Sequence, residues 1–232
     1  MPVNGSGRFI GPGHPIRDGL ILWLDPRYKE TNLITGGNWV DQSGRNATVT
    51  PVNDPEWLYG YYFEFDGTDQ GFQATNQMDG SHTTFTLEVW SKRDDSSGNE
   101  YYLDGRNATA STDSTNWWFL SEYASYDTNF RGLAYVNWSN GYTNWHQALV
   151  TDDNSNSKLY INGELQDTGN SATWNSNDLT IGMRMNTTSG GGQWNGQIGI
   201  VRIYNRALTA TEARHNFQTD AGKFDILIEG TS

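Results

Sequence analysis

Short segments of strand-forming residues, each closed by turn residues, run along most of the chain and constrain its fold most strongly. Residues 19–24, 61–65, 84–91 and 145–151 are examples, and several of them end beside Asp-Pro or Asp-Gly. No helical pattern separates successive segments, as βαβ units would require. The spacing therefore predicts an all-β fold, an antiparallel two-sheet jelly-roll sandwich.

Two local signals refine this prediction. The dipeptide Asn162-Gly163 separates two strand segments, and this pair suits the type I′ turn of a tight β-hairpin. Thr209 and Glu212 have the spacing of a capping box, in which each side chain bonds a backbone amide at the start of a helix. The sequence thus predicts one short helix near the C-terminus.

The chain of 232 residues fits one domain with extensions at both ends. Residues 1–18 are rich in Gly and Pro and read as an N-terminal arm. Residues 19–218 hold the strand segments and the helix, and form the expected sandwich domain. Residues 219–232 contain an apolar run, so a C-terminal strand or tail is expected there.

Charge and composition exclude several function classes. The formal net charge of -12 argues against binding to duplex nucleic acid or to an anionic membrane surface. The chain has no cysteine, which excludes disulfides and cysteine-ligated metal sites. No apolar run reaches the length of a membrane helix, and residues 1–7 do not read as a signal peptide.

Glu64 and Asp66 are the carboxylate pair to weigh for catalysis. Alternate residues of a strand lie on one face, so the two side chains are expected about 6–7 Å apart, close to the spacing of a retaining glycosidase. Sandwich-type glucanases carry a third acid two residues further on, where this chain has Thr68. Asp66-Gly67 also reads as a turn that ends the strand. No catalytic residue is therefore assigned.

Seven segments in a fixed order resemble the laminin G-like branch of the concanavalin A-like lectin/glucanase superfamily. They include DGLILWLD at 18–25, FDGTD at 65–69 and a long C-terminal segment at 196–209. The other segments are residues 39–46, 85–90, 144–147 and 159–165. The set also resembles virion proteins of tailed bacteriophages.

The resemblance implies a binding scaffold rather than an enzyme. It implies a structural protein of a virion, as a capsid decoration or a tail or fibre component. The N-terminal arm and C-terminal strand would bind other virion proteins, and the outward loops would present a surface for host glycans. Two alternatives stay open, a carbohydrate-active enzyme of the glucanase type and a secreted lectin or adhesin module.

No cofactor is expected, and the evidence for a structural calcium ion is weak. Family members often carry acids where this chain has Gly199 and Ile200. Calcium requires six to eight oxygen ligands. Asp25, Asp41 and Asp152 are the weak candidates that remain, and each also reads as a turn residue.

Loop aromatics are the glycan-binding candidates. An indole or phenol ring offers an apolar face to the C–H face of a sugar, while nearby polar side chains bond its hydroxyls. The alternative for each ring is packing in the core or against a partner chain. The candidates are Trp117, Trp138, Tyr142, Trp174 and Trp194.

Overall fold

The fold is described from a computed structural model of the chain. The structure describes part of the residues of the chain. They are residues 13–29, 37–58, 60–74, 81–94, 98, 100–105, 119–123, 127–130, 134–137, 143–171, 174–175, 178–184 and 192–225.

The described residues form 18 strands, one α-helix and one 3₁₀ helix. The strands are β1 (Leu20–Lys29), β2 (Trp39–Asp41), β3 (Thr48–Val52), β4 (Glu56–Leu58), β5 (Tyr62–Asp66), β6 (Gly71–Ala74), β7 (Ser81–His82), β8 (Phe85–Arg93), β9 (Glu100–Asp104), β10 (Phe119–Tyr123), β11 (Asp127–Phe130), β12 (Ala134–Asn137), β13 (His146–Asp152), β14 (Asn156–Ile161), β15 (Glu164–Asn170), β16 (Trp174–Asn175), β17 (Leu179–Ile181) and β18 (Asn195–Tyr204). The helix α1 spans Ala210–Asp220, and the 3₁₀ helix spans Ala221–Phe224.

All pairings between the described strands are antiparallel, as predicted. The main sheet has one continuous order, β12-β11-β10-β9-β17-β6-β3-β2-β1-β18-β8-β13-β14-β15. Its strands from β12 to β2 form the first layer of the sandwich, and those from β1 to β15 form the second. Strand β5 pairs with β18 and carries β4, while β7 and β16 form a separate small sheet. The long strand β1 joins the layers, because it pairs with β18 at Leu24 and also with β2 at Leu24 and Lys29.

The layers enclose an apolar cluster that we call the inner core. Alternation along each strand sends one set of side chains into it, and Leu87 at its centre is fully buried. Aromatic rings fill much of the volume, with Trp39, Phe63 and Phe72 in mutual contact. The other members are Ile21, Leu22, Leu24, Val49, Phe65, Ala74, Phe85, Val89, Tyr102, Leu103, Leu120, Ala148, Val150, Leu159, Ile161, Leu179, Ile181, Trp194, Ile198, Val201 and Ile203.

A second apolar cluster, the outer core, covers the opposite face of the second layer. Helix α1, the 3₁₀ helix and the segment before β1 pack against side chains that point out of β8, β13 and β18. Trp90 stacks on Phe217 at a ring-centroid distance of 5.8 Å and on Phe224 at 4.7 Å. The other members are Ile16, Leu20, Trp23, Leu149, Tyr160, Ile200, Tyr204, Leu208, Ala213 and Ala221.

The fold class predicted from the sequence is confirmed, including the single short helix. Asn162 and Gly163 both have positive φ, at 51° and 75°, as a type I′ turn requires. Thr209 accepts a hydrogen bond from the amide of Glu212, and the Glu212 side chain accepts one from the amide of Thr209. The predicted hairpin and capping box are therefore both present.

Packing at the two ends departs from the expected boundaries. Ile16, within the expected arm, is 1% exposed, and its amide donates to Asn216 Oδ1 at 2.9 Å. Residues 13–18 thus belong to the packed domain, because the outer core needs Ile16. At the other end, residues 221–224 form the 3₁₀ helix rather than a strand, and Phe224 is buried. Residues 1–12 and 226–232 lie outside the described part.

Among the described residues, no helix has both the length and the apolar character that crossing a membrane requires.

Candidate functional site

A cleft of about 600 Å³ opens beside the outer core, where strand ends from distant parts of the chain meet the 3₁₀ helix. We call it the aromatic cleft. Ligand sites in proteins are typically clefts of roughly 300–1,000 Å³, so the volume suits a small molecule or a short oligomer. Its lining residues are Arg27, Tyr61, Tyr62, Trp145, Gly222, Lys223, Phe224 and Asp225.

Aromatic rings form the apolar part of this cleft. Trp145 lies 4.5 Å from Phe224 and 5.5 Å from Tyr62, measured between ring centroids. Tyr61 is 50% exposed, which leaves much of its side chain accessible to a ligand. The rings together offer apolar faces in the cleft.

Gly199 makes room for Phe224. A Cβ atom at this position would lie 2.7 Å from two atoms of the Phe224 ring, closer than such contacts allow. The register between β18 and β8 shifts between Ile198 and Val201, as at a β-bulge. The glycine and the bulge therefore let the 3₁₀ helix approach the sheet and build one wall of the cleft.

Arg27 and Lys223 line the cleft, and each is paired with a buried carboxylate. Arg27 donates to Asp25, with 2.9 Å between Arg27 Nε and Asp25 Oδ1. Burial by itself raises the pKa of Asp25, but the hydrogen bonds and charge of Arg27 outweigh it and hold the pKa below its ordinary value. Lys223 donates to Asp220 Oδ1. Both carboxylates are therefore buried ion-pair partners of the cations and are not exposed in the cleft.

A fully buried charge network holds the C-terminal half of α1, from which the 3₁₀ helix continues. Arg202 lies 2.8 Å from Glu88 and 2.6 Å from Asp220, measured between nitrogen and oxygen. Glu88 also accepts from Asn216 Nδ2 and from Gln147 Nε2, each at 2.8 Å. Burial by itself lowers the pKa of Arg202, but the charges of Asp220 and Glu88 outweigh it and hold the pKa above its ordinary value. The network thus joins the helix to β8, β13 and β18.

None of the predicted glycan-binding aromatics is among the described residues that line this cleft. Trp194 is wrong as a candidate, because it is 0% exposed and packs 4.3 Å from Tyr102 in the inner core. The backbone of Trp174 pairs with His82 in the small sheet. Trp117, Trp138 and Tyr142 lie outside the described residues, so they stay predictions.

The three weak metal candidates serve local structure. Asp25 pairs with Arg27, as described above. Asp41 accepts from the amides of Trp23, Ser43 and Ala47. Asp152 accepts from the hydroxyls of Ser157 and Ser171 and from a nearby amide. Within the described part of the chain, no group of three His, Asp or Glu residues is placed to hold a metal ion.

Glu64 and Asp66 have different surroundings. Asp66 is exposed and accepts from the amide of Thr68 at 2.9 Å, which makes it the turn residue that its sequence suggested. Glu64 is half-buried, and burial raises its pKa, with a further rise from the charge of Asp94 and a lowering from a hydrogen bond with Gln197. Burial is therefore the main reason why the pKa of Glu64 is raised, and Asp94, which the sequence did not single out, raises it further.

Sequence reasoning also missed most of the cleft. Two signals were present in the sequence. Tyr62 alternates with Phe63 and so points away from the inner core, and a glycine inside a strand, as at Gly199, often marks a close approach of another segment. Neither signal says which distant residues would meet there.

Comparisons with known proteins identify the fold independently. The laminin G-like family model described as the Concanavalin A-like lectin/glucanases superfamily matches residues 66–214. No curated protein sequence matches the chain.

Solved structures of low sequence identity share the architecture. The ligand-binding domain of botulinum neurotoxin serotype D, in complex with N-acetylneuraminic acid, gives a TM-score of 0.67 at 16% identity, over 88% of this chain and 51% of that chain. A second match is domain 4 of AbnA, a GH43 extracellular arabinanase from Geobacillus stearothermophilus, in complex with arabinotriose. It gives a TM-score of 0.62 at 18% identity, over 86% of this chain and 98% of that chain. This chain thus spans about half the length of the toxin domain. At these identities the likeness shows a shared fold.

Proposed function

Because the chain belongs to the concanavalin A-like lectin/glucanase superfamily, we propose that it is a non-catalytic carbohydrate-binding module whose site is the aromatic cleft. The observation that carries the proposal is the juxtaposition of Tyr61, Tyr62 and Trp145 with Arg27 and Lys223 in one cleft. Aromatic faces stack against the C–H faces of a sugar, and the cations donate to its oxygen atoms. The sugar complexes of the toxin domain and of the AbnA domain motivate the choice of saccharides as probes.

A matched pair of variants tests the binding site. Tyr61 and Leu165 are the exposed large apolar side chains of the described residues, at 50% and 52%. Tyr61 lines the cleft, whereas Leu165 lies on β15. The wild-type chain is screened against a panel of immobilised oligosaccharides. Any sugar that the wild-type chain binds should bind more weakly to Tyr61→Ala, and it should bind to Leu165→Ala as tightly as to the wild-type chain. Equal binding to both variants contradicts the cleft as the site.

The non-catalytic part of the proposal rests on the carboxylates. A retaining glycosidase needs two carboxylates about 5–5.5 Å apart across the scissile bond, one of them kept protonated. Asp66 ends its strand in a turn, while the pKa of Glu64 is raised by burial first and by Asp94 second. Incubation with laminarin, agarose or alginate should release no reducing sugar. Release that disappears in Glu64→Gln would establish the glucanase alternative.

We also propose that the module is part of a phage virion, as a decoration, tail or fibre component that attaches to surface glycans. The segments DGLILWLD at 18–25 and FDGTD at 65–69 support this context through their resemblance to virion proteins. Contacts with other virion proteins are assigned to residues 1–12 and to the segment after residue 225. Mass spectrometry of purified particles tests the proposal. Absence of the chain from the particles, or a reading frame outside a cluster of head and tail genes, contradicts it.

A further inference from the structure

We propose that the aromatic cleft selects saccharides that carry a carboxylate, such as uronic or sialic acid residues, over neutral ones. The inference rests on the proposed function and adds the charge of the ligand. It comes from the way in which Arg27 and Lys223 are held, together with the accessibility of the aromatic rings beside them.

The two cleft cations are more exposed than the acids that hold them. The Arg27 side chain is 34% exposed while that of Asp25 is 2% exposed, and the Lys223 side chain is 22% exposed while that of Asp220 is fully buried. Each carboxylate therefore orders its cation and faces the protein interior. A ligand that enters the cleft meets ammonium and guanidinium N–H groups before it meets these carboxylates.

This arrangement contrasts with the chain as a whole. A protein with a formal net charge of -12 repels anionic ligands over most of its surface, so two cations in one cleft stand apart from the general charge. Asp220 is also paired with Arg202, and Arg202 with Glu88, so the acid that holds Lys223 belongs to the buried charge network. Charge-assisted hydrogen bonds to a carboxylate are about twice as strong as neutral ones, which gives the cations a preference for acidic sugars.

Asp225 is the acid that opposes this preference. It lies on the rim of the cleft, and its φ of 55° is in the left-handed region. Asparagine is tolerated there as well as aspartate, so Asp225→Asn removes a negative charge without straining the backbone. The variant pair Lys223→Gln and Asp225→Asn thus changes the cleft charge in opposite directions at neighbouring positions.

The probes are an oligogalacturonate and its methyl ester, which share the same rings and differ in the charge of the carboxyl group. Binding of both to the full chain is measured by calorimetry at low salt, with thermal melts to confirm that each variant is folded. The wild-type chain should bind the acid about tenfold more tightly than the ester, and Lys223→Gln should abolish most of that difference. Asp225→Asn should increase it. Lys223→Gln retains the pairing of Asp220 with Arg202, so the buried network keeps its cation.

Three results overturn the inference, and they separate it from the proposed function. Equal binding of acid and ester, weakened by Tyr61→Ala, leaves a carbohydrate-binding cleft without selection for charge. A preference for the acid that Lys223→Gln and Asp225→Asn both leave unchanged places the recognition of the carboxylate elsewhere. No binding of either probe, or of any sugar in the panel, overturns the inference together with the proposed function.

Discussion

The inner and outer cores bury side chains equally well but by different chemistry. The inner core between the layers is built mainly from apolar side chains such as Leu87, Phe72 and Ile181, and the charged pair Arg93–Glu100 lies beside it near Trp194. The outer core surrounds the charged groups of Glu88, Arg202 and Asp220. Apolar packing depends on side-chain volume and tolerates substitution by apolar residues of similar size. A buried charge instead needs an oppositely charged partner at a defined position. The inner core therefore makes the sandwich, and the outer core determines where the helices, and with them the cleft, are placed.

Arg202→Met should lower the free energy of unfolding most, because it removes the arginine of the buried charge network in the outer core. The change leaves Glu88 buried without a cation and leaves Asp220 with Lys223 alone, and breaking a buried ion pair in this way typically costs about 3–5 kcal/mol. Denaturant melts give the free energy of unfolding. Arg206→Met is the control, since Arg206 pairs with Glu212 and Asp18 at a partly exposed position and should cost less. A similar loss for both arginines would contradict the special role of the network.

Leu87→Ala tests the inner core by removing volume. The side chain is fully buried, so the cavity should cost about 2–5 kcal/mol in denaturant melts, against little for the exposed Leu165→Ala. Two conservative changes sharpen the comparison. Leu87→Met conserves volume and should cost under about 1.5 kcal/mol. Arg202→Lys retains the charge but loses the planar guanidinium that reaches both carboxylates, so it should cost more than Leu87→Met.

The part of the fold that follows alternation was predictable. Residues 84–91 alternate, which predicts Phe85, Leu87 and Val89 on one buried face, and all three are in the inner core. The hairpin and the capping box were predictable for the same reason, since each depends on residues a few positions apart.

Pairing between buried polar groups was not predictable from a single strand. Strand β9 was missed because its sequence, EYYLD, reads as half polar. All five residues are nonetheless buried, and Glu100 pairs with Arg93 at 2.8 Å. The partner that makes such burial tolerable lies on another strand, and the local pattern carries no information about it.

The candidate site was unpredictable for the same reason. Its lining residues Arg27, Tyr62, Trp145 and Phe224 come from four distant segments, and the sheet register brings them together. The search for aromatic residues in loops selected Trp194, which is buried in the structure. An aromatic residue next to glycines and polar residues is expected to be exposed from its local sequence. Its burial depends on the position of the strand that follows it, which the local sequence does not give.

Thr209→Ala tests how far the position of the helix depends on its own first turn. The Thr209 hydroxyl accepts from the amide of Glu212, and its loss should cost about 1 kcal/mol. Thr211→Ala is the matched control, because Thr211 is an exposed residue of the same turn. Denaturant melts of the two variants give the difference. Equal losses would mean that the outer core, rather than the cap, determines where the helix begins.

Glu64→Gln should have the smallest effect, and its sign depends on pH. Burial, with the charge of Asp94, raises the pKa of Glu64 above the ordinary value of 4.5, so the folded state holds this proton more tightly than the unfolded state. The contribution of Glu64 to stability is thus fully present below its unfolded pKa and is lost as pH rises through the folded pKa. Glutamine cannot titrate, so Glu64→Gln should be more stable than wild type at neutral pH and should lose that advantage as the solution becomes acidic. Paired denaturant melts across this pH range measure the difference, and Asp94→Asn, which lowers the pKa of Glu64, should reduce it. An advantage that grows on acidification would reverse the sign and show that Glu64 is stabilised as a carboxylate.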